Sequence, residues 1–328
     1  MKKIIILITL VFLVLITTIY SFFGNKNINN KLEKIKLAEV THSIFYAPLY
    51  VSIENGYFKE EGIDIELILT SGADKVSAAV LSNDANVGFA GMESAIYIYN
   101  GGEKDYLQAF SGLTKRDGQF IIGRNKTNFT LNDLVGKEVL VGRKGGMPAL
   151  NFINALKHEG IDPAKVNLNY QIDFASLSGA FIGGTGDYVN LFEPNASLLS
   201  KNKQGFVLES VGKYSGEMPY TVFYSKKSYV NDNKDLLLRF NNAINKGLTY
   251  VDEHTPKEIA MIISKQFPDN SINDLELMIK NYKDADSWLS DNTISKKSFE
   301  NLEELLIDNN LIKDYVPYNK LVININEK

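Results

Sequence analysis

Apolar and polar positions along this chain repeat at two periods, and the places where one period gives way to the other mark its elements. Residues 35–40 alternate with period two, as a half-buried strand does. Pro48 then lies near the start of a helical pattern that Gly56 stops, and a second alternating run, residues 63–69, follows at once. The succession repeats: residues 73–83 read as helix, 87–90 as a short buried strand, 93–100 as helix and 108–113 as strand. A second series begins at residues 119–123 and includes Thr130-Leu-Asn-Asp133 as a capping box, a strand over 138–141, and a helix over 148–159 that Gly160 stops. Strands near 166–171 and 188–192 continue it, and 221–225 reads as a return strand. Residues 235–252, 256–266, 273–282 and 295–308 then read as consecutive helices, with Thr255-Pro-Lys-Glu258 as a further capping box. Strands alternating with helices predict an α/β fold in two domains. Ligands of open α/β sheets sit beyond the carboxyl ends of the strands, which places Thr41 to Tyr46 at a predicted crevice.

Composition narrows the partners. The chain has 328 residues, 45% hydrophobic and 23% charged, which suits two globular domains. A net charge of -4 argues against nucleic acid as a partner and leaves small molecules or proteins. Lys2 and Lys3 precede an apolar run over residues 4–23, the pattern of an export signal, and the run is also long enough to cross a bilayer. Small residues suited to cleavage are sparse around Thr17, Thr18, Ser21 and Gly24, so residues 1–23 read as a signal peptide or a membrane anchor, followed by a polar spacer over 24–34. The protein is expected outside the cytoplasm. With no cysteine it has no disulfide, no thiolate nucleophile or metal ligand, and no site for a lipid anchor.

The stretch Thr41-His-Ser-Ile-Phe-Tyr-Ala-Pro-Leu-Tyr-Val-Ser-Ile-Glu-Asn-Gly-Tyr-Phe-Lys-Glu-Glu-Gly62 resembles the opening of the nitrate, aliphatic sulfonate, taurine and thiamine-precursor family of ABC importer substrate-binding proteins. Further matches lie at Ala85-Asn-Val-Gly-Phe-Ala-Gly91, Leu134-Val-Gly-Lys-Glu-Val-Leu-Val-Gly142 and Asp187-Tyr-Val-Asn-Leu-Phe-Glu-Pro194, and together they span residues 35–320. The resemblance implies a two-lobed periplasmic-binding-protein type II fold with two crossover segments and a cleft between the lobes. Lobe I would comprise residues 35–118 and 222–328, and lobe II residues 119–221. Many members carry a lipid-modified cysteine; this chain does not.

Four loops are candidates to face the cleft. Ser43 and Tyr46 offer a hydroxyl and an aromatic face in the first, although Tyr46 could equally be core. Glu93 and Ser94 open a helix in the second, where a carboxylate is favoured by the helix dipole and could be a simple cap. Gly145, Gly146 and Met147 form a helix start whose free N–H groups can receive an anion or a carbonyl oxygen; the alternative is a tight turn. Asn190 and Glu193 at a strand end, with Glu217 and Tyr220 before the return strand, suit a pocket that stacks a ring and binds its donors, or else a surface turn. Glu93, Glu193 and Glu217 against Arg143 and Lys144 disfavour a bare anion and suit an amine-bearing heterocycle such as an aminopyrimidine. His42, His158 and His254 lack metal-ligand spacing, so no metal or cofactor is expected, and Glu303 and Glu304 read as an outer charged face.

The resulting expectation is an extracytoplasmic solute-binding protein, not an enzyme, that closes its lobes on a small organic ligand and delivers it to the permease and ATPase subunits of an ABC importer. It is expected to be a monomer and to meet the membrane only through its N-terminal segment. A sulfonate- or nitrate-binding protein is the alternative within the same family. The rival of another class is an enzyme resembling the fungal pyrimidine synthases of thiamine biosynthesis, which rely on a cysteine-rich motif that this chain lacks.

Overall fold

A computed structural model describes residues 32–70 and 72–325. The segment read as signal or anchor, residues 1–23, and most of the predicted spacer lie outside the described residues. A short N-terminal unit ends at Glu33, and the unit Lys34–Lys328 holds the features below. Among the described residues no helix is long and apolar enough to cross a membrane.

Among the described residues ten strands form two five-stranded sheets. They are β1 (Glu33–Glu39), β2 (Ile63–Leu69), β3 (Val87–Ala90), β4 (Leu107–Thr114), β5 (Phe120–Gly123), β6 (Glu138–Leu140), β7 (Asn167–Asn169), β8 (Tyr188–Leu191), β9 (Phe206–Ser210) and β10 (Thr221–Lys226). The principal helices are α1 (Ala47–Glu54), α2 (Ala73–Leu81), α3 (Glu93–Asn100), α4 (Met147–His158), α5 (Asn195–Lys201), α6 (Lys234–Glu253), α7 (Pro256–Ile263), α8 (Ile272–Asp284) and α9 (Lys296–Asp308). The first sheet runs β2-β1-β3-β10-β4 and the second β7-β6-β8-β5-β9. Helical crossovers make β1 parallel to β3, and β6 parallel to β7 and β8, whereas β10 and β5 run antiparallel to both of their neighbours.

The chain passes between the sheets twice, from β4 to β5 and from β9 back to β10. At the first passage Gly118 lies against the Phe45 ring, 2.5 Å from where a Cβ would stand, so no larger residue fits without moving that ring. After β10 the helices pack on the first sheet. The inward face of α6 carries Leu237, Phe240, Ile244, Leu248 and Val251, spaced at three and four residues, which buries one stripe of the helix. Phe240 meets Phe223 of β10, which in turn stacks on Phe89 of β3 at 4.3 Å between centroids. Such rings bring roughly 2 kcal/mol or more each by leaving water.

The turn and cap signals appear where the residues predict them. Gly56 takes the left-handed conformation, φ 78°, just past α1. The Thr255 and Glu258 capping box closes the start of α7; Ser295, which the sequence placed inside its helix, caps α9 from just outside it. Three departures stand out. β1 begins at Glu33, within the expected spacer. β9, which pairs with β5, has no counterpart in the sequence reading, because Phe206–Ser210 is partly buried at every position and shows no clean alternation. Glu303, expected on the outer face, is 2% exposed and accepts the Val316 N–H at 2.6 Å, so it ties the C-terminal segment to α9.

Candidate functional site

The ends of β1 and β3 and the start of β10 in the first sheet face the β6–α4 loop and the end of β8 in the second across a cavity of about 90 Å³. That is room for roughly three waters at about 30 Å³ each. Val40 and Thr41 reach it after β1, Gly91 and Glu93 at the start of α3, and Arg143, Gly146 and Met147 before and at the start of α4. Phe192 closes it beyond β8, beside Phe174, while Tyr220 and Thr221 come from the second crossing.

Glu93 is the acidic group at its centre. Its side chain is 1% exposed, and its Oε2 meets no hydrogen-bond partner in the protein. Burial pushes its pKa up to about 7, against the opposing pull of the Arg143 guanidinium and of the backbone N–H groups of Glu93, Met147 and Ser94. Met147 is the first residue of α4, so a carboxylate from the first lobe lies at a helix N-terminus of the second. Gly91 makes this possible, because a Cβ there would stand 2.0 Å from Glu93 Oε2 and 2.6 Å from Met147 Cγ.

Aromatic walls surround this group. Tyr46 is buried edge-on against Phe89 at 4.5 Å, with its hydroxyl near the Thr221 side chain. Tyr220, also buried, leaves its hydroxyl without a well-formed hydrogen bond although it lies beside Asp117. Burial raises the Asp117 carboxyl to about 7, against hydrogen bonds from the Gln119 backbone and side chain and the nearness of the Tyr220 hydroxyl. Phe45 touches Phe192 and Tyr220 and forms the hydrophobic base between the crossings.

Of the residues singled out in the sequence, Tyr46, Glu93, Gly146, Met147 and Tyr220 line the cavity. The others do not. Ser43 caps a short helical turn by accepting the Phe45 N–H, and donates across the lobes to the Glu193 carbonyl at 2.6 Å. Ser94 is buried inside the first lobe near the Tyr224 hydroxyl, which bonds Ser77 at 3.0 Å. Gly145 turns its carbonyl to Tyr97, whose hydroxyl donates to it at 2.8 Å. The Asn190 side chain is fully buried behind the cavity. Glu193 folds back on its own helix: its carboxylate accepts the Ser197 N–H and hydroxyl at 2.8 and 2.7 Å, and Asn281 Nδ2 of α8 at 2.9 Å. Glu217 is an exposed partner of Arg116 at 2.8 Å. The expected excess of acid over base therefore reduces to Glu93 facing Arg143.

Arg143, weighed in the sequence only as loop charge, is a lining residue, as are Thr221 and Phe174, for which no local signal existed. His42 is not. Its Nδ1 lies 2.8 Å from Glu39 Oε1 and its Nε2 2.9 Å from the Gln266 carbonyl, so bonding both acceptors requires the imidazolium. Burial alone would lower its pKa, but the Glu39 carboxylate and the Gln266 carbonyl outweigh it and the pKa is raised.

Comparison with known proteins bears on this arrangement. The family model NMT1/THI5 like matches residues 44–259. YtlA of Bacillus subtilis (strain 168), provisionally described as a binding protein, is 41% identical over 293 residues, covering 89% of this chain and 88% of YtlA. The alkanesulfonate-binding protein SsuA from Xanthomonas axonopodis pv. citri, solved bound to MOPS, superposes with a TM-score of 0.71 at 14% identity over 89% of this chain and 98% of its own. The ligand-binding component of an ABC-type import system from Staphylococcus aureus, solved with zinc, gives a TM-score of 0.70 at 15% identity, with 89% and 97% coverage. At these identities the solved structures speak for the fold alone, which is that of the periplasmic binding proteins.

Proposed function

The chain belongs to the NMT1/THI5-like family, and we propose that it is the extracytoplasmic solute-binding protein of an ABC importer, taking a small amine-bearing heterocycle such as an aminopyrimidine. The observation that carries the ligand class is the buried Glu93 carboxylate. The N-terminus of α4 is where a sulfonate or nitrate would be received, since its N–H groups favour an anion. A buried carboxyl already stands there, and its Oε2 has no hydrogen-bond partner in the protein. Once ionised it would repel a second anion in a dry site, whereas a ligand N–H would complete it. Tyr46, Phe192 and Tyr220 supply apolar faces for a flat ring. Arg143 favours the second reading, an anionic ligand, and keeps it in contention.

Thermal unfolding against 4-amino-2-methylpyrimidine, an alkanesulfonate and nitrate tests the choice, since a ligand that binds only the native state raises the midpoint by mass action. A rise with the aminopyrimidine supports the reading. A rise confined to the sulfonate or nitrate refutes it and assigns the site to Arg143 and the helix terminus.

A further inference from the structure

Glu93 carries a carboxyl from one lobe onto the other. It opens α3 in the first lobe, yet it lies against Met147, the first residue of α4 in the second: a Cβ on Gly91 would stand 2.0 Å from Glu93 Oε2 and 2.6 Å from Met147 Cγ. The side chain is 1% exposed, and Oε2 has no hydrogen-bond partner in the protein. Part of what covers it belongs to the other lobe, since Gly146, Met147 and Phe192 form the far wall of the same cavity. Parting the lobes returns this carboxyl to water.

The groups that face it come from several elements. Arg143 of the β6–α4 loop is the cation whose pull reaches it, but Arg143 is itself exposed, so water weakens that pull. The N–H groups of Glu93 and Ser94 on α3, and of Met147 on α4, favour the charged form as well. Tyr97 of α3, Tyr46 before α1, Tyr220 of the second crossing and Tyr224 of β10 stand around it as neutral phenols, their pKa values raised by burial and further by Glu93. Burial wins over every group that favours the charge, and the carboxyl is pushed up to about 7 from an ordinary 4.5.

We propose that closure of the lobes is coupled to protonation of Glu93: the cleft shuts on a neutral carboxyl held between Gly91 and α4, and ionisation favours the open arrangement. The closed form holds the proton more tightly than the open form, in which the side chain is solvated. Its advantage is therefore complete below pH 4.5 and is lost as pH rises through 7. Between pH 5 and 8 the ratio of closed to open protein should fall roughly seventyfold. The inference rests on the reading of this cleft as a ligand site that opens and closes, and not on which ligand it takes.

The chain has no cysteine, so two introduced ones report without background. Lys75 and Ala175 are exposed, close in sequence to the lining residues Ala73 of the first lobe and Phe174 of the second. Spin labels on Lys75→Cys and Ala175→Cys, read by double electron–electron resonance in the unliganded full chain, measure the opening at pH 5 and pH 8. A short distance should dominate at pH 5, and a longer one should gain population at pH 8. Adding Glu93→Gln should keep the short distance at both pH values. Arg143→Gln, which removes the cation that favours the charged form, should open the cleft further at pH 8. A wild-type distribution that is the same at both pH values overturns the proposal. So does a pH response that survives Glu93→Gln, which would pass the effect to Asp117 at the first crossing. Either result leaves the thermal-shift test of the ligand untouched, so the two readings fail separately.

Discussion

Glu93→Gln is the substitution that most directly interrogates the cleft. Gln keeps the shape of the side chain and removes its titration, so the difference between wild type and variant isolates one group. The native carboxyl is held at about 7 against an ordinary 4.5, so between those values the folded protein binds more protons than the unfolded one. Stability must therefore fall as pH rises through that window. At about 1.4 kcal/mol per pH unit the whole displacement amounts to about 3 kcal/mol, most of which falls between pH 5 and 8. Asp117, raised to about 7 by burial, and His42, also raised, push in the same direction, which is why the subtraction matters. Urea unfolding of both proteins at pH 5, 6, 7 and 8 measures it. The wild type should lose about 2 to 3 kcal/mol relative to Glu93→Gln across the series. A difference that stays flat would mean that the carboxylate is solvated or well paired, and the argument from a buried, unsatisfied carboxyl would fail with it.

Glu193→Ala should lower stability by about 2 kcal/mol, because it leaves the Ser197 N–H and the Asn281 amide without their acceptor, yet leave ligand affinity intact; lost affinity at unchanged unfolding midpoint would put Glu193 back in the cleft. Gly91→Ala places a Cβ 2.0 Å from Glu93 Oε2 and should abolish any ligand-induced rise in the melting temperature while the protein still melts cooperatively. Trp288, the single tryptophan, donates its indole N–H to the Phe45 carbonyl at 2.8 Å, and Phe45 packs on Phe192 and Tyr220. Ligand binding should shift its emission, and a ligand that raises the melting temperature without any spectral change would contradict this coupling.

The fold was legible because its boundaries are written in local chemistry. Gly56, Gly160 and the Thr255 and Glu258 box each act within a few residues, and they mark helix ends whatever the rest of the chain does. The site was legible only in part, and the two glutamates show why. Glu93 and Glu193 both follow a buried strand and precede a helix, so the sequence presents them alike. One carboxylate turns across the cleft to α4, the other onto Ser197 four residues ahead. Ser197 was a readable hint, since a hydroxyl one helical turn on can hold such a carboxylate locally. Glu217 offered no hint at all, because Arg116 is distant in sequence. Arg143 was passed over because loop cations are normally solvated, and its importance depends on a first-lobe carboxylate that only the folded chain brings near.

Much of what joins the two lobes is made by the protein alone. Tyr97 reaches the Gly145 carbonyl, Ser43 and Tyr282 grip the backbone of Glu193, Asn281 its side chain, and Lys201 meets Asp274 at 2.6 Å. These contacts favour the joined arrangement without any ligand, and a ligand can shift an equilibrium only by what it binds differently in the two states. Its leverage therefore lies where a first-lobe group and a second-lobe group meet on it. Glu93 and Tyr46 on one side, with Gly146, Met147 and Phe192 on the other, are such places. An amine on Glu93 that also touched nothing beyond Tyr46 would bind without favouring closure, whereas a ring spanning to Phe192 would do both. On this reasoning the reach of the ligand, more than the strength of its bond to Glu93, decides whether binding becomes a signal that a permease could read.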